Sequence, residues 1–192
     1  KSRLIEKEIC EQYGVKALYN SDGDIQGHYY PFNGTASTAV SGYKYKDLSD
    51  KHKQRAIGEV KNLFGMGLFM NGGRRIVITE GEEDCLAVAQ AFYKKYKKLY
   101  PVVSMCGATQ TNHLIKNRET LRKYDEIVLW FDNDEQGKEA VERATKILGY
   151  EKIKVVHSKE KDANDVLKAL GMEEGCKHIL TYVWDAKQSS PS

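Results

Sequence analysis

The sequence predicts an α/β fold: a mostly parallel sheet flanked by helices and preceded by a small basic α+β subdomain. Three observations predict it. From Arg75 onward, apolar β-branched runs alternate with helical patterns. Two of those runs end abruptly in carboxylates, one at Glu80 and the other at Asp132 and Asp134. The residues before about position 72 lack that alternation and are rich in tyrosine and lysine instead.

In the irregular part, Ser2 to Tyr13 reads as a short helix ended by Gly14. Val15–Tyr19 and Ile25–Tyr30 flank Asn20-Ser21-Asp22-Gly23-Asp24, and Asp-Gly between alternating runs is a hairpin signal. A further strand is expected near Ser41 to Tyr45. Tyr13, Tyr19, Tyr29, Tyr30, Tyr43 and Tyr45 crowd this part, with Lys44 and Lys46 among them. Such aromatics either stack bases while lysines hold phosphates, or cover a small sheet. Covering the sheet is the preferred reading for most of them. Gly65, Gly67 and Asn71-Gly72-Gly73 put a boundary near residue 72. That divides the chain into a subdomain over 1–72, a second domain over 73–185 and a linker or loose tail over 186–192.

In the regular part, a strand over 75–79 leads to a helix near 82–98. A strand over 101–105 leads, after Gly107, to a helix near 112–123. A strand over 126–131 leads to a helix near 137–148, and a strand over 152–156 to a loop and a short helix from about Asn164. Strands alternating with helices argue for a parallel sheet.

The 192 residues suffice for one domain or two small ones, and 41% apolar with 30% charged content fits a soluble globular protein. No apolar run is long enough to span a membrane. The chain starts at Lys1 without a signal-peptide pattern and reads as a fragment of a longer protein. Cys10, Cys85, Cys106 and Cys176 form no paired zinc signature, so no zinc is expected in this fragment and an intracellular, reducing compartment is the simplest inference. The net charge of +3 says little, but its distribution says more. Between Ser41 and Arg75, eight basic residues face three acids, an excess suited either to a phosphate backbone or to a solvated loop. Neither GxGxxG nor a phosphate-loop lysine motif occurs.

The strand-end carboxylates carry the chemistry. In open α/β sheets, ligands bind beyond the carboxyl ends of strands. Carboxylates gathered there repel one another unless a cation lies between them, which suggests a magnesium site for phosphoryl chemistry. Asp132 and Asp134 can face one cation from an extended turn. Glu80 shares it only if its strand neighbours theirs. Asp162 is either a further ligand or the cap of the next helix, with capping favoured on its own evidence. Glu82 and Glu83 read as first-turn acids suited to the helix dipole.

Thr79-Glu80-Gly81-Glu82-Glu83-Asp84 together with Phe131-Asp132-Asn133-Asp134-Glu135-Gln136-Gly137 resembles the Toprim domain of bacterial-type primases, topoisomerases and some nucleases. Leu63-Phe64-Gly65, the run Asn71 to Glu82 and Lys161-Asp162-Ala163-Asn164-Asp165 resemble the primase half of phage primase–helicase proteins, whose lineage includes mitochondrial replicative helicases. The resemblance covers about residues 40 to 170.

The resemblance implies a DNA primase core that makes short RNA primers on single-stranded DNA by metal-dependent ribonucleotidyl transfer. A 3′-hydroxyl attacks the α-phosphate of a ribonucleoside triphosphate and pyrophosphate leaves. Mg2+ is the implied cofactor, with Mn2+ able to substitute. Glu80, Asp132 and Asp134 are the implied catalytic residues, and these with Asp162 the metal ligands. Asp84 supports the site, and Glu80 is either a ligand or the base. Lys44 matches a position that contacts nucleotide phosphates, with Lys46, Lys51, Lys53 and Lys161 as further template or nucleotide contacts. A helicase domain of the same chain and a DNA polymerase are implied partners, no membrane is, and a phage source would place the protein in host cytoplasm. The zinc-ribbon and helicase parts of the family lie outside this chain. The rival readings are a Toprim nuclease and a non-catalytic DNA-binding module of a replicative helicase; a topoisomerase would need a tyrosine domain for which there is little room.

Overall fold

The computed structural model describes residues 4–188 and contains two sheets. The first is antiparallel and four-stranded, in the order β1 (Lys16–Tyr19), β2 (Ile25–Asn33), β3 (Val40–Asp47), β4 (Gln54–Gly58). It follows α1 (Lys7–Tyr13), which Gly14 ends in the left-handed conformation at φ 77°. The helix begins at Lys7, later than the sequence pattern implies; residues 1–3 of that expectation lie outside the described residues.

The second sheet contains β5 (Gly73–Thr79), β6 (Val102–Ser104), β7 (Tyr124–Trp130), β8 (Ile153–Val155) and β9 (Lys187–Gln188), ordered β6-β5-β7-β8-β9. The first four are parallel, and β9 joins antiparallel to β8. Lys187 and Gln188 are therefore an edge strand rather than the expected tail; residues 189–192 of that tail lie outside the described residues. Ile76, Val77 and Ile78 of β5 and Ile127, Val128 and Leu129 of β7 are fully buried. That is why these strands read as unbroken apolar runs: a parallel sheet is covered on both faces. Each such side chain contributes about 1.5–3 kcal/mol on burial.

The covering helices are α2 (Glu82–Tyr96), α3 (Asn112–Lys116), α4 (Arg118–Leu121), α5 (Glu135–Leu148), α6 (Ala163–Leu170) and α7 (Met172–Trp184). The helix expected over 112–123 is broken at Asn117. Its side-chain amide donates to the His113 carbonyl at 2.7 Å and to Asn62 Oδ1 at 2.7 Å, so the helix gives way to a bond that fastens the loop before β5.

One apolar core joins both parts. Phe64 lies between Tyr13, Tyr30 and Phe32 of the first part, and its backbone bridges to Ser104 at the end of β6. Tyr13 donates its hydroxyl to the Val102 carbonyl at 2.6 Å. Three of the six tyrosines of this part, Tyr13, Tyr30 and Tyr45, are buried in the sheet and core, whereas Tyr19 is exposed. No helix among the described residues is long and apolar enough to cross a membrane.

Candidate active site

Because β5 and β7 pair directly, with Thr79 opposite Trp130, their carboxylate ends meet. The Asp132 N–H donates to Glu80 Oε1 at 3.2 Å. The loop after β8 is drawn to the same edge: the Asn133 N–H donates to the Lys161 carbonyl at 2.7 Å, and the Asn133 amide to the Ser158 carbonyl at 2.9 Å. The Asn164 N–H, at the start of α6, donates to Asp84 Oδ1 at 3.0 Å and so joins α6 to α2.

The tightest acidic group made by these ties is Asp84, Asp132 and Asp162, each offering one oxygen within 4.8 Å of the others. This grouping departs from the expected one. Asp84, expected only to support, lies inside it, while Glu80 and Asp134 lie beside it. Asp134 caps α5, accepting from the Gly137 N–H at 2.8 Å. Asp162 caps α6, one oxygen accepting from the Asp165 N–H at 2.8 Å, and it is also one of the three acids of this group.

The electrostatics record the crowding. Burial, reinforced by Asp162, pushes the Asp84 carboxyl well above the carboxylate range. Burial, followed by Glu80 and Asp162, pushes Asp132 up to about 7. Glu80 is raised by burial, partly offset by its hydrogen bonds with Asp132 and by the charge of Lys161. Hard oxygen donors that repel one another at a partly buried sheet edge fit a divalent cation.

The basic side of the edge comes from β3. Lys44 and Lys46, two residues apart on one strand face, both reach Glu82 on α2, at 2.8 Å and 2.6 Å; Lys46 also reaches Glu83 at 3.4 Å. Glu82 is therefore more than a first-turn acid. It is buried, yet its carboxyl falls to about 2, because the two lysines outweigh the burial that would raise it. The same pairing raises Lys46 against the effect of its own burial. Each lysine also lies over a ring, Lys44 on Phe32 at 5.1 Å and Lys46 on Tyr30 at 5.5 Å. Lys51 shares a cavity with Lys46 and His28, whereas Lys53 is exposed on the turn into β4. Arg75, counted in the basic excess, belongs elsewhere: it pairs with Glu126 at 3.0 Å and lies 4.6 Å from the Trp184 ring centre.

Residues 77–167 match the Toprim-like family. The chain is 32% identical over 193 residues to a DNA helicase/primase of Enterobacteria phage T3, a match covering 99% of this chain and 32% of that protein. It thus spans about a third of the length of that relative. The primase fragment of the bacteriophage T7 primase-helicase protein superposes with a TM-score of 0.76 at 30% identity, covering 93% of this chain and 72% of that one. A second T7 structure has primase domains bound to an RNA/DNA hybrid and dTTP beside the lagging-strand DNA polymerase; it superposes with a TM-score of 0.79 at 30% identity, over 98% of this chain and 91% of that one. The chain therefore belongs to the Toprim-domain DNA primases, as a relative of the primase part of phage primase–helicase proteins.

Proposed function

We propose that the chain is the catalytic core of a DNA primase, joining ribonucleotides on a single-stranded DNA template with Mg2+ as cofactor. One observation carries the reading. An acidic triad suited to a divalent cation and a lysine pair suited to phosphates stand on opposite sides of the same α2 N-terminus, Asp84 to one and Glu82 to the other.

Asp84, Asp132 and Asp162 hold the cation, and Glu80 and Asp134 complete the acidic edge. When bound, a divalent cation neutralises these carboxylates and the charge that develops on the attacked phosphate. Glu80, whose carboxyl is raised by burial, takes the proton of the attacking 3′-hydroxyl. Lys44 and Lys46 bind phosphates as point charges held in place by Glu82. Lys51, Lys53 and Lys161 extend the positive surface along the template. In this division, residues before about 72 bind template and nucleotide, and residues 73–185 carry the chemistry.

The T3 and T7 relatives support a helicase partner in the same polypeptide and a DNA polymerase beside it. The test is primer synthesis on a set of single-stranded templates, with Mg2+ or Mn2+ and with and without a supplied dinucleotide. Ribonucleotide addition to the dinucleotide is expected. Hydrolysis of the labelled strand without addition would establish a nuclease, and binding without either reaction a non-catalytic module.

A further inference from the structure

The far end of α2 carries a feature that the acidic edge does not use. The helix is 15 residues long. At about 1.5 Å of rise per residue, Tyr96 stands about 20 Å from Glu82. There the sequence reads Tyr93-Lys94-Lys95-Tyr96-Lys97-Lys98-Leu99-Tyr100. Lys94 and Lys95 lie in the last turn, where cations suit the helix dipole. Lys97 ends the helix in the left-handed conformation at φ 59°, where glycine is the usual residue, and Lys98 lies beyond it. Lys94 pairs with Glu6 at 2.9 Å. Lys95, Lys97 and Lys98 are exposed and, among the described residues, pair with no carboxylate.

The rings beside these lysines form a ladder that stops at the surface. Phe92 is buried and stacks on Tyr100 at 4.3 Å between centroids and on Tyr96 at 6.2 Å, with interplanar angles of 13° and 23°. Tyr96 is the outer ring and is 40% exposed. Trp184 of α7 meets Phe92 edge-on at 5.6 Å and is 41% exposed, with Arg75 over its ring at 4.6 Å. Between α2 and α7 a groove of about 650 Å3 opens beside Trp184 and Leu180; Lys94, Lys95 and Lys177 line it with a single carboxylate, Glu173. A stack with an open outer ring accepts a further flat ring, and unpaired lysines beside it accept phosphates. An acidic protein would satisfy the lysines and leave the rings half wet. The bases and phosphates of one strand satisfy both.

We propose that the end of α2, the turn after it and Trp184 form a site for single-stranded nucleic acid, separate from the acidic edge and from the lysines of β3. Unpaired bases stack on Tyr96 and Trp184, and the phosphates between them lie on Lys95, Lys97 and Lys98. Stacking on open rings is indifferent to sequence, so the site holds a strand without choosing where synthesis begins. Its use for a template rests on the primase reading. Its binding does not, because neither the triad nor a metal takes part.

The experiment uses the whole 192-residue chain in EDTA. The first readout is tryptophan emission during titration with unlabelled oligothymidylate. Trp130 is buried and Trp184 exposed, so a base stacked on Trp184 quenches the exposed component of the emission. The probe is about 20 nucleotides long, more than the roughly six that span the length of α2 at 3.4 Å each. The second readout is anisotropy of the same strand carrying fluorescein, across a salt series. In Tyr96→Ala, affinity is expected to fall at least fivefold, the low end of what one stacked base contributes. In Lys97→Gln/Lys98→Gln, the slope of log affinity against log salt is expected to fall by about 1.4, roughly 0.7 per lost phosphate contact. Absence of quenching in the unaltered chain overturns the proposal, as does equal quenching by the matching duplex, whose bases are already stacked. Affinities within about twofold of wild type in both variants also overturn it and leave the surface to an acidic protein. So does an equal change of slope in the charge-matched variant Lys138→Gln/Lys146→Gln on α5. Should Tyr96→Ala unfold, the lysine variant carries the test, since those two side chains make none of the contacts described above. Absence of primer synthesis by the unaltered chain would sink the primase reading and leave this binding result standing.

Discussion

The Glu80 carboxylate accepts a hydrogen bond from the backbone N–H of Asp132 at 3.2 Å, so the acid that ends β5 is fastened to the segment that ends β7. This bond is possible only because the two strands are neighbours. It brings Glu80 beside a triad that already repels itself, and the consequences are measurable.

Asp132→Asn removes one charge from the triad while keeping the side-chain shape. Divalent-cation affinity, followed by calorimetry with Mg2+ or Mn2+ EPR, is expected to fall at least tenfold, and primer synthesis to be lost. The metal-free protein is expected to become more stable at pH 8, by on the order of 1 kcal/mol once solvent screening is discounted. A gain in Tm together with lost metal binding separates a ligand role from a purely structural one. Unchanged cation affinity would remove Asp132 from the site.

The raised Asp132 carboxyl also fixes the sign of a pH effect. With a folded-state pKa of about 7, above that of an unfolded aspartate, the carboxyl binds its proton more tightly in the folded chain. Metal-free stability is therefore expected to decline as pH rises from about 4 to about 7 through this group. Proton and cation compete for the same oxygens, so Mn2+ affinity should rise with pH across this window and level off above it. Calorimetry in buffers of different ionisation enthalpy would detect the released protons; a flat affinity between pH 5.5 and 8 would contradict the shift.

The sequence made some of this visible and hid the rest for definite reasons. β5 and β7 are legible because both their faces are buried, leaving apolar runs that stop where the carboxylates start. The five residues of β4 are all exposed, so no alternation betrays them. α7 follows α6 after Gly171 alone, and a helix starting so soon after another leaves little loop signal. Glu82 reads as a dipole acid because its lysine partners lie 38 and 36 residues earlier in the chain. Asp84 reads as a helper because the bond that sets it in the triad comes from Asn164, 80 residues away. In each case local pattern revealed the element, and only the folded pairing revealed the role.

Glu82→Gln tests the lysine clamp. Removing one partner of a buried ion pair costs about 3–5 kcal/mol when the other charge stays trapped. Lys44 and Lys46 can instead turn toward water, since each side chain is 21% exposed, so the expected loss is about 1–3 kcal/mol. The pH dependence has a definite sign. The folded-state pKa of Glu82 is depressed to about 2, so its contribution is complete above the ordinary glutamate range and lost as pH falls toward 2. Urea unfolding between pH 2 and 6 should show wild type and variant converging at the acid end. A constant gap across that range would show that the charge of Glu82 is not what stabilises the clamp.

Gly137→Ala tests whether the turn after β7 is built for the site. Asp134 accepts from the Gly137 N–H at 2.8 Å, so this residue sits directly under the turn that presents Asp132. A Cβ at Gly137 would overlap the Asp132 carbonyl oxygen, which is backbone and cannot swing aside. The turn must then shift, at a cost of about 1–3 kcal/mol, the usual scale for overpacking. Because the displaced group belongs to a triad residue, cation affinity should fall further than stability alone explains. Mn2+ titration well below the variant's Tm separates the two effects. Lys138→Ala, one position on and exposed, should leave both quantities near wild type. Wild-type Mn2+ affinity in folded Gly137→Ala would show that the site tolerates movement of the Asp132 backbone, and that the glycine serves packing alone.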